Sequence, residues 1–214
     1  MPVSTDMQTV MRLLANRLVA SGYRKSKLGI FIKTGGPGLL MWLGLNRAKR
    51  SGLVEINPVV GIRHQGVEGL VAELNGEKAD QVVPATAAMN VGYLSQADRY
   101  REFLFGGGRP DDEVASELTN TVLSAGTRFL HENEDLTGLI NTLSTSKRLN
   151  PEQTAYRLPV ALFLAGSADE AVEALDARLG QIAGRMDPAG TRYVTFAARL
   201  RDRIGRAKGV LPGA

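Results

Sequence analysis

Residues 31–64 read FIKTGGPGLLMWLGLNRAKRSGLVEINPVVGIRH. Their reading decides the fold, because TGGPG at 34–38 could be a phosphate-cradling loop or a turn between strands. A phosphate loop feeds straight into a helix whose first amides hold the anion. Here the next residues are LLMWLGLN, which bring no capping residue and run into a second turn. No Gly-Lys-Ser/Thr ending and no G-x-G-x-x-G spacing is present. The stretch therefore predicts two hairpins, with strands at about 28–33, 39–46 and 53–63 joined by TGGPG and RAKRSG. Trp42 falls in an almost unbroken apolar run and is expected in the core.

Working outward, Met7, Val10, Met11, Leu14 and Leu18 recur at helical spacing behind the capping candidates Ser4, Thr5 and Asp6, and Gly22 is placed to end that helix. Val67, Leu70, Val71 and Leu74 predict a short helix closed by Gly76. QVVPATAAMNVGYL reads as extended, with Pro84 marking an edge or an interruption. FGGGRPDDEV reads as a loop into a helix carrying the stripe Val114, Leu118, Val122, Ala125 and Phe129. Helices follow at about 134–146, 151–164, 168–186 and 188–207. Asn150-Pro151 and Asp187-Pro188 each pair an N-cap residue with proline at the first helical position, Ser167 and Glu170 form a capping box, and Pro159 is expected to kink or split its helix. Strands and helices are segregated, so the fold class is α+β: an N-terminal helix, an antiparallel β-sheet, then a helical C-terminal half. The expected organisation is 1–110 for the helix plus sheet and 111–214 for the helical half, packed as one domain.

Composition removes several function classes. The 214 residues include no cysteine, which excludes a disulfide framework, thiolate catalysis and Cys-ligated zinc or iron–sulfur centres. MPVSTDMQTV lacks the basic and apolar regions of a signal peptide, and no apolar run approaches a membrane span, so a cytoplasmic protein with no membrane role is expected. Net charge is +4, unevenly spread. Residues 1–64 hold ten Lys/Arg against Asp6 and Glu55, whereas 65–197 hold eleven basic against nineteen acidic residues. A basic front half can meet phosphate, an acidic protein, or the chain's own acidic helices.

Candidate chemistry is sparse. His64 and His131 form no H-x-x-x-H or H-E-x-x-H motif, and no serine stands in a G-x-S-x-G frame. Asp111, Asp112 and Glu113 suit a helix N-terminus, and HENEDL a charged turn with Asn133 or Asp135 as cap. Arginines 199, 203 and 206 suit a solvent-facing helix C-terminus. No catalytic residue, metal site or cofactor is expected. The remaining candidates are basic: Arg47, Lys49 and Arg50 at a hairpin tip, with Arg63 and His64 closing the third strand.

Four segments also carry a family resemblance. LVASGYRKSKLGIFIKT leads from a helix through a basic step into a strand, and GLVEINPVVGIRH is a strand with a central Asn. VASELTNTVLSAGTRFLHENEDLTGLINTL and LPVALFLAGSADEAVEALDARL are helical. Together, over about residues 7–185, they resemble a bacterial family of unknown function whose members occur among immunity proteins of polymorphic toxin systems and in defence-gene neighbourhoods. The resemblance implies a non-enzymatic protein that occludes a protein partner, and it supplies no catalytic residues. The expected function is protein binding through Arg47, Lys49, Arg50, Arg63 and His64. The alternative is a nucleic-acid-binding component that uses the basic N-terminal half.

Overall fold

The TGGPG stretch is a hairpin turn. The computed structural model describes residues 6–96 and 98–209, and in it strand β2 (Ile30–Gly36) pairs antiparallel with β3 (Leu39–Arg50) around Pro37-Gly38. Gly38 takes φ +69°, a conformation glycine adopts without strain. The second hairpin is tighter than RAKRSG suggested. Strand β3 runs through Arg50, and Ser51-Gly52 alone, at φ 50° and 82°, turns it into β4 (Leu53–His64). A two-residue turn with both residues at positive φ matches the strand twist, so the basic residues join the strand and leave only two residues for the turn.

The chain forms two compact units, one of residues 1–63 with 88–134 and the other of 64–87 with 135–214. In the first, α1 (Met7–Ala20) is capped by Asp6, whose carboxylate accepts from the Gln8 and Thr9 amides; Ser4 and Thr5 lie outside the described residues. Val10, Leu14 and Leu18 are its buried stripe, and Gly22 at φ +88° lets the Tyr23 amide donate back to the Leu18 carbonyl at 3.0 Å. Among the described residues the sheet runs β1-β2-β3-β4-β5, with β6 also on β4.

Two strands escaped sequence reading. Strand β1 (Arg24–Lys27) is RKSK, without an apolar residue, and β6 (Phe103–Phe105) is three residues long within the stretch just before the predicted glycine loop. The predicted extended stretch across Pro84 shrinks to β5 (Ala87–Asn90), followed by a single 3-10 turn at 91–94.

Helix α3 (Asp111–Glu132), which the sequence placed with the helical half, groups with the sheet in this first unit. It buries Val114, Leu118, Val122, Ala125 and Phe129, the predicted stripe. Its Gly126 admits close approach: a Cβ there would meet Met41, Tyr23 and Val60 at 3.3–3.7 Å. Burial pushes the Tyr23 hydroxyl up to about 12. Trp42 departs from expectation, being only half-buried. It lies on the face opposite Met41 and Leu43, over Gly44, where a Cβ would come within 2.6 Å of the indole.

The second unit is helical. Its α2 (Gln65–Asn75) ends at Gly76 with φ 70°. Helices α4 (Leu136–Thr145) and α5 (Pro151–Leu164) are capped by Asp135 and Asn150, and α6 (Ala168–Gln181) and α7 (Pro188–Gly209) complete the unit. Ser167 stands at the α6 N-cap without a side-chain hydrogen bond, so the expected capping box does not form. Pro159 does not split α5. Proline lacks the N–H that would bond the carbonyl four residues back, that of Ala155. The Tyr193 hydroxyl of α7 donates to that carbonyl at 3.2 Å and satisfies it. Tyr156 packs edge-on to Tyr193 and Phe196, with centroids 5.1 and 4.8 Å apart.

Candidate functional site

The five candidate residues separate into three situations. Arg47, Lys49 and Arg50 are exposed on the last part of β3. Arg63, at 1% exposure, is among the most buried side chains of the chain. It offers no surface to a partner, because the strand around it is buried without a break from Val60 to Arg63 and only the terminal His64 is partly exposed. His64 stands at the end of β4 far from the Ser51-Gly52 turn, roughly 35 Å along the strand from Leu53 at about 3.3 Å per residue. The five therefore do not form one patch.

His64 has a structural task. Its backbone amide donates to Thr86 Oγ1 at 2.9 Å, and its Nδ1 accepts from the Val67 amide at 3.3 Å as the N-cap of α2. Burial lowers its pKa from the ordinary 6.5, with the Glu68 charge acting in the other direction. Because the folded value lies below the unfolded one, the unfolded chain takes up the proton first as pH falls. The contribution is complete above about pH 6.5 and is lost as pH drops below it. A melting temperature measured from pH 8 to 5 is expected to fall below pH 6.5. His64→Asn, which keeps a capping oxygen but cannot titrate, is expected to flatten that part of the profile; an unchanged slope would remove the assignment.

The other charged clusters are internal. In the first unit, Glu117 accepts from Arg101 at 2.5 Å and Arg109 at 2.8 Å, and the Arg109 hydrogen bond leads in holding its carboxyl below the usual range. Asn90 staples the chain beside it, accepting from the Gly92 and Arg101 amides at 2.9 Å and donating to the Arg101 carbonyl at 3.0 Å. Asp111 accepts from the Gly106 amide, and Asp112 pairs with Arg17. In the second unit, Glu68 and Arg157, 4% and 5% exposed, form a bidentate pair at 2.6 and 3.1 Å. The arginines of α7 do not simply face solvent. Arg199 donates to the Leu74 carbonyl, Arg201 pairs with Asp176, Arg203 with Glu73 and Lys208 with Asp169.

Other cations stand outside these pairs, Lys78, Arg99 and Lys147 among them within the described residues. Among the described residues, Arg24, Lys25, Arg47, Lys49 and Arg50 have no ion-pair partner. The second unit carries an open groove of about 350 Å³ between α4, α5 and α6, where Lys147 and Arg178 stand over apolar residues such as Leu149 and Leu158. No group of three or more His, Cys, Asp or Glu residues is placed to hold a metal ion among the described residues, and no helix there is long and apolar enough to cross a membrane. Comparison with protein-family models, curated proteins and solved structures finds no match to this chain.

Proposed function

We propose that this protein is a non-enzymatic protein-binding domain whose partner surface is the cationic end of β3, built from Arg47, Lys49 and Arg50. The observation that carries the reading is that, among the described residues, these side chains are exposed and have no ion-pair partner, while Arg201, Arg203 and Lys208 of α7 are matched by carboxylates of α2 and α6. Long cationic side chains held at a strand end speed encounter with an acidic surface and fix its register. Arg63 and His64 are left out of the surface, the first for burial and the second for its capping role. The resemblance of four segments to immunity and defence-associated proteins supports occlusion of a protein partner in the cytoplasm as the biological form of this binding.

The competing reading, nucleic-acid binding, uses the same cations on phosphate. Tight binding of unpaired bases adds aromatic platforms, and sequence-specific binding adds contacts that reach base edges; the exposed end of β3, Asn46–Arg50, contains no aromatic residue. At physiological salt the protein is expected to bind DNA and RNA oligonucleotides no more tightly than about 10⁻⁶ to 10⁻⁴ M, the non-specific range. A fluorescence-anisotropy titration would decide the matter. Nanomolar affinity abolished by Arg47→Glu, Lys49→Glu and Arg50→Glu together, with the circular dichroism unchanged, would replace the protein-partner reading by the nucleic-acid one.

A further inference from the structure

The same end of β3 exposes backbone as well as charge. Pairing with β2 proceeds from Gly36↔Leu39 to Ile30↔Gly44, and the last hydrogen bond on that side runs from the Leu45 amide to the Gly29 carbonyl at 2.7 Å. Strand β2 then turns away into β1, whose own register is with β2 alone. Strand β3 continues for five more residues, Asn46–Arg50, all exposed. Its opposite side is secured, because β4 lies there and is covered in turn by β6, with Val54 and Ile56 fully buried. Among the described residues one edge of β3 is therefore open for about 17 Å, at roughly 3.3 Å per residue.

Which groups line that edge follows from the alternation of the ladder. The Leu45 amide points toward the β2 side, so the amides and carbonyls of Arg47 and Lys49 point the same way. Among the described residues no β2 or β1 residue reaches them. The residues that present unpaired backbone groups are thus also two of the unpaired cations. Leu28, 71% exposed at the β1–β2 turn, stands where the open edge begins, beside the Gly29–Leu45 contact.

We propose that residues 46–50 accept an extended acidic segment of a partner protein as an added β-strand. Backbone hydrogen bonds to Arg47 and Lys49 would supply the docking, and acidic side chains at alternate positions would face the cations. A second copy of the same edge is disfavoured, since it would set Arg47 and Lys49 against their own kind. The charge that blocks self-pairing is the charge that selects an acidic strand. This inference rests on the protein-binding reading above and narrows its partner to an unstructured or edge-strand acidic segment.

The test uses the full chain and four probes: a fluorescein-labelled peptide alternating Glu and Val, its Lys/Val counterpart, the Glu/Val peptide N-methylated on alternate backbone nitrogens, and single-stranded oligodeoxythymidine. The Glu/Val peptide is expected to bind saturably and the Lys/Val peptide not at all. Amide exchange at Arg47 and Lys49 should slow about tenfold or more on binding, and N-methylation should weaken affinity by about tenfold or more, since each methylated nitrogen facing the edge removes a backbone hydrogen bond. Lys49→Pro, which deletes an amide the sheet does not use, is expected to bind about tenfold more weakly than Lys49→Gln. The N-methylated peptide keeps the test decisive if the proline variant does not fold. Absence of saturable Glu/Val binding up to about 1 mM overturns the proposal. Equal binding of the N-methylated peptide, without amide protection, overturns strand addition while leaving a charge-based protein surface standing. Tight oligodeoxythymidine binding without peptide binding overturns both.

Discussion

Arg157→Ala is expected to lower the unfolding free energy by about 3–5 kcal/mol, the cost of removing one member of a buried ion pair. The guanidinium holds Glu68 through Nε at 2.6 Å and Nη2 at 3.1 Å, and its Nη1 donates to the Gln153 carbonyl at 3.2 Å. Both side chains are almost fully shielded, at 6% and 3% exposure. Truncation leaves the Glu68 carboxylate buried without that guanidinium, and a buried charge stripped of its counterion is far more costly than an exposed one. Arg203→Ala serves as the control. Its pair with Glu73 is 44% and 59% exposed, so the change should cost less than about 1 kcal/mol. Urea melts followed by circular dichroism provide the measurement. The double variant Glu68→Gln with Arg157→Met, which removes both charges, should recover part of the loss of Arg157→Ala. A shift below about 1 kcal/mol for Arg157→Ala would mean that water reaches the pair.

Phe129→Ala should cost a similar amount, about 3–5 kcal/mol, by a different route: lost transfer energy plus a cavity in a closely packed core. Phe129 is 2% exposed and sits one turn beyond Gly126, where α3 approaches Met41, Tyr23 and Val60. The single tryptophan, Trp42, lies in the same unit, so its fluorescence reports the melt directly. Trp42 itself should behave otherwise. Its Nε1 is buried with no hydrogen-bond partner among the described residues, so Trp42→Phe removes an unsatisfied N–H and should change stability by less than about 1 kcal/mol. A loss of several kcal/mol on Trp42→Phe would show that the indole nitrogen is engaged after all. A shift below about 1 kcal/mol for Phe129→Ala would place that ring outside the core.

How much of this was readable beforehand differs by the range of the interaction. The α3 stripe, the Gly22 and Gly76 helix ends, the Asn150 cap and the TGGPG turn were legible, and Asp6 and Asp135 stood among the cap candidates, because each depends on residues within a few positions of one another. The α+β class followed from their order along the chain. The failures share the opposite feature. RKSK is a strand only because β2 lies beside it, and FLF only because β4 does. Propensity is a weak guide where a neighbouring strand supplies the hydrogen bonds.

The same division holds for the candidate surface. Sequence alone determined that residues 24–50 are rich in cations and poor in carboxylates, and that Arg47, Lys49 and Arg50 lie close together between apolar stretches. Only the tertiary structure decided which cations would be neutralised. Arg157 finds Glu68 across 89 residues and Arg203 finds Glu73 across 130, separations at which composition carries no pairing information. Arg63 and Arg47 look alike in the sequence, yet one is buried and the other stands on an open strand edge. The reason is geometric: β2 stops pairing at Gly29–Leu45 while β3 runs on to Arg50, and that mismatch in strand length exposes both the backbone and the charge.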